Sequence, residues 1–245
     1  RGGGESCGGG CGRRWGATIA EADGRRPAAW RLLPEVAALG ARFWRGFGRL
    51  GERGPEGGEK LMLIPGFLAT DRTTLGLQRG LARAGYRVTG WGMGLNTGVQ
   101  EDTLERIVER IERFAAGGGK VVLVGWSLGG VYAREAAKLR PDLVSKVITL
   151  GSPFSGDRRS NNAWRLYEWA AGHPVDRPPI DTVLEEKPPV PTLALWSRRD
   201  GIVCVAAARG ADGERDEERE LTCSHMGFAV SASGIRQVVE ALRRF

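Results

Sequence analysis

Six short runs with strand character recur between residues 60 and 223, and helical patterns fill most of the gaps between them. The runs are KLMLIP (60–65), YRVTGW (86–91), KVVLVG (120–125), KVITLG (146–151), TLALWS (192–197) and ERELTC (218–223). Helical spacing lies near 73–84, 101–116, 128–140 and 234–244; the second of these puts Leu104, Ile107, Val108 and Ile111 on one face. The third stops before Pro141, since the residue preceding a proline disfavours helical geometry. Short apolar strands alternating with helices predict an α/β fold: a mostly parallel sheet of about six strands, covered by helices on both faces. Crossovers of one hand then leave the loops after the strands along one edge, which is where such sheets bind ligands.

A chain of 245 residues is long enough for one substantial core. Residues 1–58 read as a glycine-rich leader followed by an amphipathic helix, and residues 59–245 as the main domain. The helix stripe is Leu33, Val36, Ala37, Gly40, Phe43, Trp44 and Phe47. Packing on the domain is preferred for it over membrane contact, because its polar face carries no dense row of lysine and arginine. One connection breaks the rhythm: about 154–190 holds Trp164, Tyr167, Trp169 and a proline-rich tail. An insertion of that length predicts a small helical cap over the ligand-binding edge, with extra core as the compatible plain alternative.

Composition removes several classes of function. The net charge is +7, but it is dispersed rather than clustered with aromatics, so a nucleic-acid partner is not expected. No apolar stretch approaches the roughly 18–20 residues of a membrane span. The start, RGGGESCGGGCGRRWG, lacks an initiator methionine and an apolar signal core. It reads as a truncated frame or a flexible leader, and a cytoplasmic location is favoured. Cys7 and Cys11 lack the further ligands that a structural zinc site wants, so no metal is expected. Cys204 and Cys223 could meet near two strand ends, with free thiols the preferred state. Oligomeric state is not legible.

The chemistry concentrates at strand ends. GWSLGG (125–130) follows the apolar VVLV, placing Ser127 on a strand–turn–helix junction with Gly125 and Gly129 at G-x-S-x-G spacing. The pentapeptide alone is common; that junction is the context which gives it meaning. A serine needs a base, and the chain holds two histidines. His225, in TCSHMGF after the last strand, is favoured over His173, which falls in the insertion. Asp200, in SRRDGIV just past the fifth strand, is the carboxylate to orient that imidazole, although D-G is also ordinary turn chemistry. Leu128, after the nucleophile, and Phe67, after Gly66 in IPGFLATD, offer the two backbone amides for an oxyanion.

Taken together, IPGFLATD, GWGMGLNTG, GWSLGGVYAREAAKLRPDLV, VITLGSPFSG, SRRDGIV and SHMGF resemble the α/β-hydrolase superfamily. They look like bacterial esterase- and lipase-type hydrolases over about 59–245. The resemblance implies a Ser127–Asp200–His225 triad, no metal or cofactor, and a sheet without the first two antiparallel strands of larger relatives. It also implies an ester hydrolase forming an acyl-enzyme, acting on a small-molecule or lipid-like ester. Trp91, Met93, Trp126 and Trp164 are the expected pocket residues, with Asn96 either in the pocket or a plain turn. An acyltransferase or thioesterase would use the same triad, and a ligand-binding protein without turnover is the reading from another class.

Overall fold

The computed structural model describes residues 27–32, 35, 51–156 and 183–245. Six strands form one sheet: β1 (Lys60–Ile64), β2 (Arg87–Gly90), β3 (Val121–Trp126), β4 (Val144–Leu150), β5 (Thr192–Trp196) and β6 (Glu217–Glu220). Their order is β2-β1-β3-β4-β5-β6, and every neighbouring pair is parallel. The expected parallel architecture is therefore present, with strand limits within a few residues of those read from the sequence. An antiparallel bridge, Arg53 to Val88, flanks the outer edge of β2.

The α-helices that lie wholly within the described residues are α1 (Leu75–Arg83), α2 (Thr103–Ala115), α3 (Leu128–Leu139), α4 (Val205–Arg209), α5 (Gly227–Val230) and α6 (Ala232–Arg244). The sequence reading lacked α4 and α5, each too short to show a helical period. Leu32 and Glu35 are helical, while most of the predicted stripe, the bulk of the 154–190 cap, and the leader lie outside the described residues.

Alternation along the strands sorts the core into two layers. Leu61, Leu63, Val122, Val124, Ile148, Leu150, Leu193 and Leu195 pack on one face against Leu77 and Leu81 of α1 and Val238 and Leu242 of α6. Met62, Ile64, Val121, Leu123 and Val147 pack on the other against Ile107 and Ile111 of α2 and Tyr132 and Ala136 of α3. Strands buried on both faces read as continuous apolar runs, which is why β1 and β3 stand out in the sequence. By contrast, β6 is half-exposed and highly charged.

Chain order decides where a ligand can sit. From β1 the chain steps outward to β2, then returns across β1 to enter β3 on its other side. Loops leaving β1 and β3 thus diverge, and the crevice between them is the topological switch point of the sheet. The loop after β1 begins with Pro65-Gly66, and the residue after β3 is Ser127.

Candidate active site at the switch point

Ser127 joins β3 to α3 with φ 55 and ψ −125. It shares a positive φ with Leu68 alone among the described non-glycine residues. A side-chain-bearing residue held there stores on the order of 1–3 kcal/mol, which persists only where the surroundings fix it. They do so sterically. A Cβ on Gly125 would stand 2.2 Å from the Gly129 carbonyl oxygen, and one on Gly129 would stand 2.3 Å from that of Ile64. One on Gly130 would meet Ser152 Oγ at 1.9 Å. The three glycines let β3, α3 and the end of β1 close around the turn.

The β1 loop presses on Ser127 directly. A Cβ on Gly66 would lie 2.9 Å from Ser127 Cβ, so the backbone at 66 abuts the serine. Asn96, buried, holds this loop in place: its Nδ2 donates to the Pro65 carbonyl at 2.9 Å. Its backbone carbonyl accepts from Leu68 N at 2.7 Å, and its amide donates to the Ala69 carbonyl at 2.9 Å. Tyr132 Oη donates to its Oδ1 at 3.3 Å. Of the two sequence readings for Asn96, neither was this; it braces the loop from behind. Asp71, also unread, accepts from Trp91 N at 3.0 Å and Gly92 N at 2.9 Å, tying the loop after β2 to the same region. Burial pushes its carboxyl up, against the pull of those two amides and Arg110.

Asp200 and His225 come together. His225 Nδ1 lies 2.7 Å from Asp200 Oδ2, and both residues are buried. Asp200 Oδ1 accepts from Ile202 N and Val203 N, each at 2.8 Å. The carboxylate is thus turn residue and imidazole partner at once, one oxygen for each. The His225 carbonyl accepts from Trp126 Nε1 at 3.1 Å, and the two rings stand 5.7 Å apart. The imidazole therefore packs on the residue that immediately precedes Ser127. Burial works against its protonated form. The Asp200 charge, the hydrogen bond to Nδ1 and the Glu35 carboxylate outweigh that, and the pKa is raised above its ordinary 6.5.

Sequence reasoning missed Glu35. Its carboxylate is buried and accepts from Gly201 N (3.2 Å) and His225 N (2.7 Å) on one oxygen, and from Ser224 Oγ (3.0 Å) and Met226 N (2.8 Å) on the other. The signal was weak: a lone acid beside an apolar stripe looks like a solvated position. Ser197 is a second omission; its Oγ donates to the Cys223 carbonyl at 2.6 Å and accepts from Arg199 N at 3.0 Å.

The expected pocket residues separate. Trp91 and Trp126 are both buried, in the two different core layers, and Met93 packs half-buried on the layer that holds Trp91. Trp164 and His173 lie outside the described residues. A 470 Å³ cleft lined by Thr70, Asp71, Gln78 and Arg110 sits at the β2 edge, with neither Ser127 nor His225 in its lining. Cys204 and Cys223 are buried free thiols. Among the described residues no acidic, histidine and cysteine group is arranged to hold a metal, and no helix is long and apolar enough to cross a membrane.

The comparisons with known proteins bear on the fold. The sequence pattern of the α/β hydrolase fold family matches residues 60–177. The chain has the α/β-hydrolase fold. Among solved structures, a lipase-esterase related protein from Clostridium acetobutylicum superposes with a TM-score of 0.58, at 14% identity over 80% of this chain and 98% of that one. A monoacylglycerol lipase from Paleococcus ferrophilus gives 0.57, at 17% identity over 78% and 96%. At these identities the likeness is one of fold. The biotin biosynthesis bifunctional protein BioHC of Teredinibacter turnerae is 33% identical over 61 residues, which is 25% of this chain and 10% of that protein. Within the α/β-hydrolase fold, the loops after β1, β3, β5 and β6 carry Gly66, Ser127, Asp200 and His225 respectively.

Proposed function

We propose that this α/β-hydrolase-fold chain is a serine hydrolase of carboxylic esters, working through an acyl-enzyme on Ser127. The observation that carries the reading is the buried 2.7 Å contact between His225 Nδ1 and Asp200 Oδ2, with the imidazole packed on Trp126, the residue before a serine at φ 55. With Nδ1 committed to the carboxylate, Nε2 is the nitrogen left to accept the Ser127 proton as Oγ attacks the ester carbonyl. The imidazolium so formed gains from the buried Asp200 charge, then protonates the departing alkoxide. Water repeats the sequence on the acyl-enzyme, with His225 again as base, and releases the acid.

The tetrahedral oxyanion needs donors that are aligned before reaction. Leu128 N, at the first turn of α3, is one, where the helix dipole also favours negative charge. Phe67 N, one residue past the Gly66 that abuts Ser127, is the other. Asn96 serves these roles indirectly by fixing the Gly66 loop. The substrate class is a small-molecule or lipid-like ester, in keeping with the lipases and esterases among the proteins of similar fold. The test is hydrolysis of p-nitrophenyl acyl esters by the purified chain, paired with fluorophosphonate labelling. Turnover and labelling, both abolished in Ser127→Ala, are the expected result; a Ser127→Ala variant at the wild-type rate would sink the reading.

A further inference from the structure

The segment at Glu35 reaches the His225 loop from 190 residues away and meets it with three hydrogen bonds, and it takes a fourth from Gly201 in the Asp200 loop. All four donors are neutral: three backbone amides and a serine hydroxyl. A carboxylate taken out of water costs several kcal/mol unless it is fully hydrogen-bonded, and these four donors satisfy it. Its docking is built into the sequence on the other side as well. Gly201 has no room for a side chain, since a Cβ there would stand 2.3 Å from the Arg31 carbonyl oxygen. Arg31 Nη1 also donates to the Arg198 carbonyl at 2.7 Å. Residues 31 and 35 therefore clasp both the loop that carries Asp200 and the loop that carries His225.

We infer that Glu35 is a positioning residue for the proposed reaction, fixing the His225 loop and setting a second negative charge beside the imidazole. This rests on His225 acting as the base. Among the described residues, the charged groups acting on that imidazole are Asp200 from the loop after β5 and Glu35 from the N-terminal segment. The nearby Cys223 thiol stays neutral, with burial the main cause of a pKa of about 12, and Cys204 is likewise raised by burial. Two carboxylates around one imidazole leave a net negative charge while it is neutral. That charge favours the imidazolium, the form created in the transition state. Asp200 selects the tautomer, and Glu35 adds field and holds the loop.

The experiment measures the rate of Ser127 labelling by a fluorophosphonate probe across pH 5–9, with thermal melts, for the wild type, Glu35→Gln, Glu35→Asp and His225→Ala. Glu35→Gln removes the charge and replaces one acceptor with a donor. Its acid limb is expected to move down by roughly 0.5–1 pH unit, the size of a partly screened charge several ångströms away, with a plateau about tenfold lower. Glu35→Asp keeps the charge, so its limb should stay near the wild-type position while the plateau falls severalfold. An acid limb that does not move in Glu35→Gln overturns the inference, whatever the melting temperature does. Should the glutamine variant not fold, a wild-type plateau in Glu35→Asp overturns it instead. A wild type without an acid limb, or His225→Ala labelled at the normal rate, removes the base reading and the Glu35 role with it. A wild-type limb lost in His225→Ala leaves the outcome to Glu35 alone.

Discussion

Asp200 and His225 meet at 2.7 Å, Oδ2 to Nδ1, and the other oxygen of the same carboxylate closes the turn through Ile202 N and Val203 N. The two tasks can be separated by one substitution. In Asp200→Asn, the amide oxygen can keep the two backbone bonds while its NH₂ faces Nδ1, favouring the wrong imidazole tautomer. A loss of about 10⁴-fold in kcat is expected, by the logic of a buried triad acid. The melting temperature should fall only slightly, because the turn survives. Steady-state hydrolysis of a p-nitrophenyl ester, set beside a thermal melt, checks both halves. An asparagine variant within tenfold of wild type would show that Asp200 is a turn residue only.

Ser127 carries backbone strain that a glycine would relieve. At φ 55 a Cβ is disfavoured, whereas glycine occupies this region freely. Ser127→Gly is expected to be more stable than Ser127→Ala by about 1 kcal/mol, or roughly 2–4 °C in melting temperature for a chain of this size. Both variants should lack activity. Equal melting temperatures for the two would mean that the turn is not strained.

The pH profile follows from the direction of the His225 shift. Burial opposes protonation, but Asp200 and Glu35 prevail and lift the pKa above 6.5. A base must be neutral, so kcat/KM is lost as pH falls through that raised value, and the half-maximal point lies above pH 6.5. A rate profile from pH 5 to 9 measures it. A flat profile, or a midpoint well below 6.5, contradicts the assignment.

The two core thiols should be inert in the folded protein. Burial pushes Cys223 up to about 12 from an ordinary 9.0 and raises Cys204 as well. Thiolate is the reactive form, so iodoacetamide at pH 8 should leave both unlabelled until denaturant is added. Peptide mapping after differential alkylation reads this out for each cysteine. The linkage has a definite sign. A thiol whose folded pKa is raised contributes stability that is present below about pH 9 and lost as pH climbs through the folded value. Rapid native labelling of Cys223 would place it at the surface.

Period and punctuation carried the fold. Short apolar runs at β1, β3, β4 and β5, set between helical patterns, pointed to strands buried on two faces, and the apolar stripe of α2 pointed to a helix packed on the sheet. The same signals put Ser127, Asp200 and His225 in loops that follow strands, because a parallel sheet gathers those loops at one edge. Short elements escaped: α4 and α5 are each about one turn long, too brief to display a period.

Distance along the chain hid the rest. Glu35 sits one residue before a stripe position and offers no local sign of partners beyond residue 200. Asn96 sits in a glycine-rich turn, and nothing nearby reveals that it is buried against the Pro65 carbonyl. Trp91 and Trp126 looked like a pocket rim, but strand alternation sends them to opposite layers. Residue types and their order fixed the sheet, the tight turn at Ser127 and the loop for each polar group, since these depend on local sterics and periodicity. Which oxygen meets which nitrogen, and which distant acid steadies the imidazole, depends on the packing of loops from different strands, and that was decided only when the chain closed on itself.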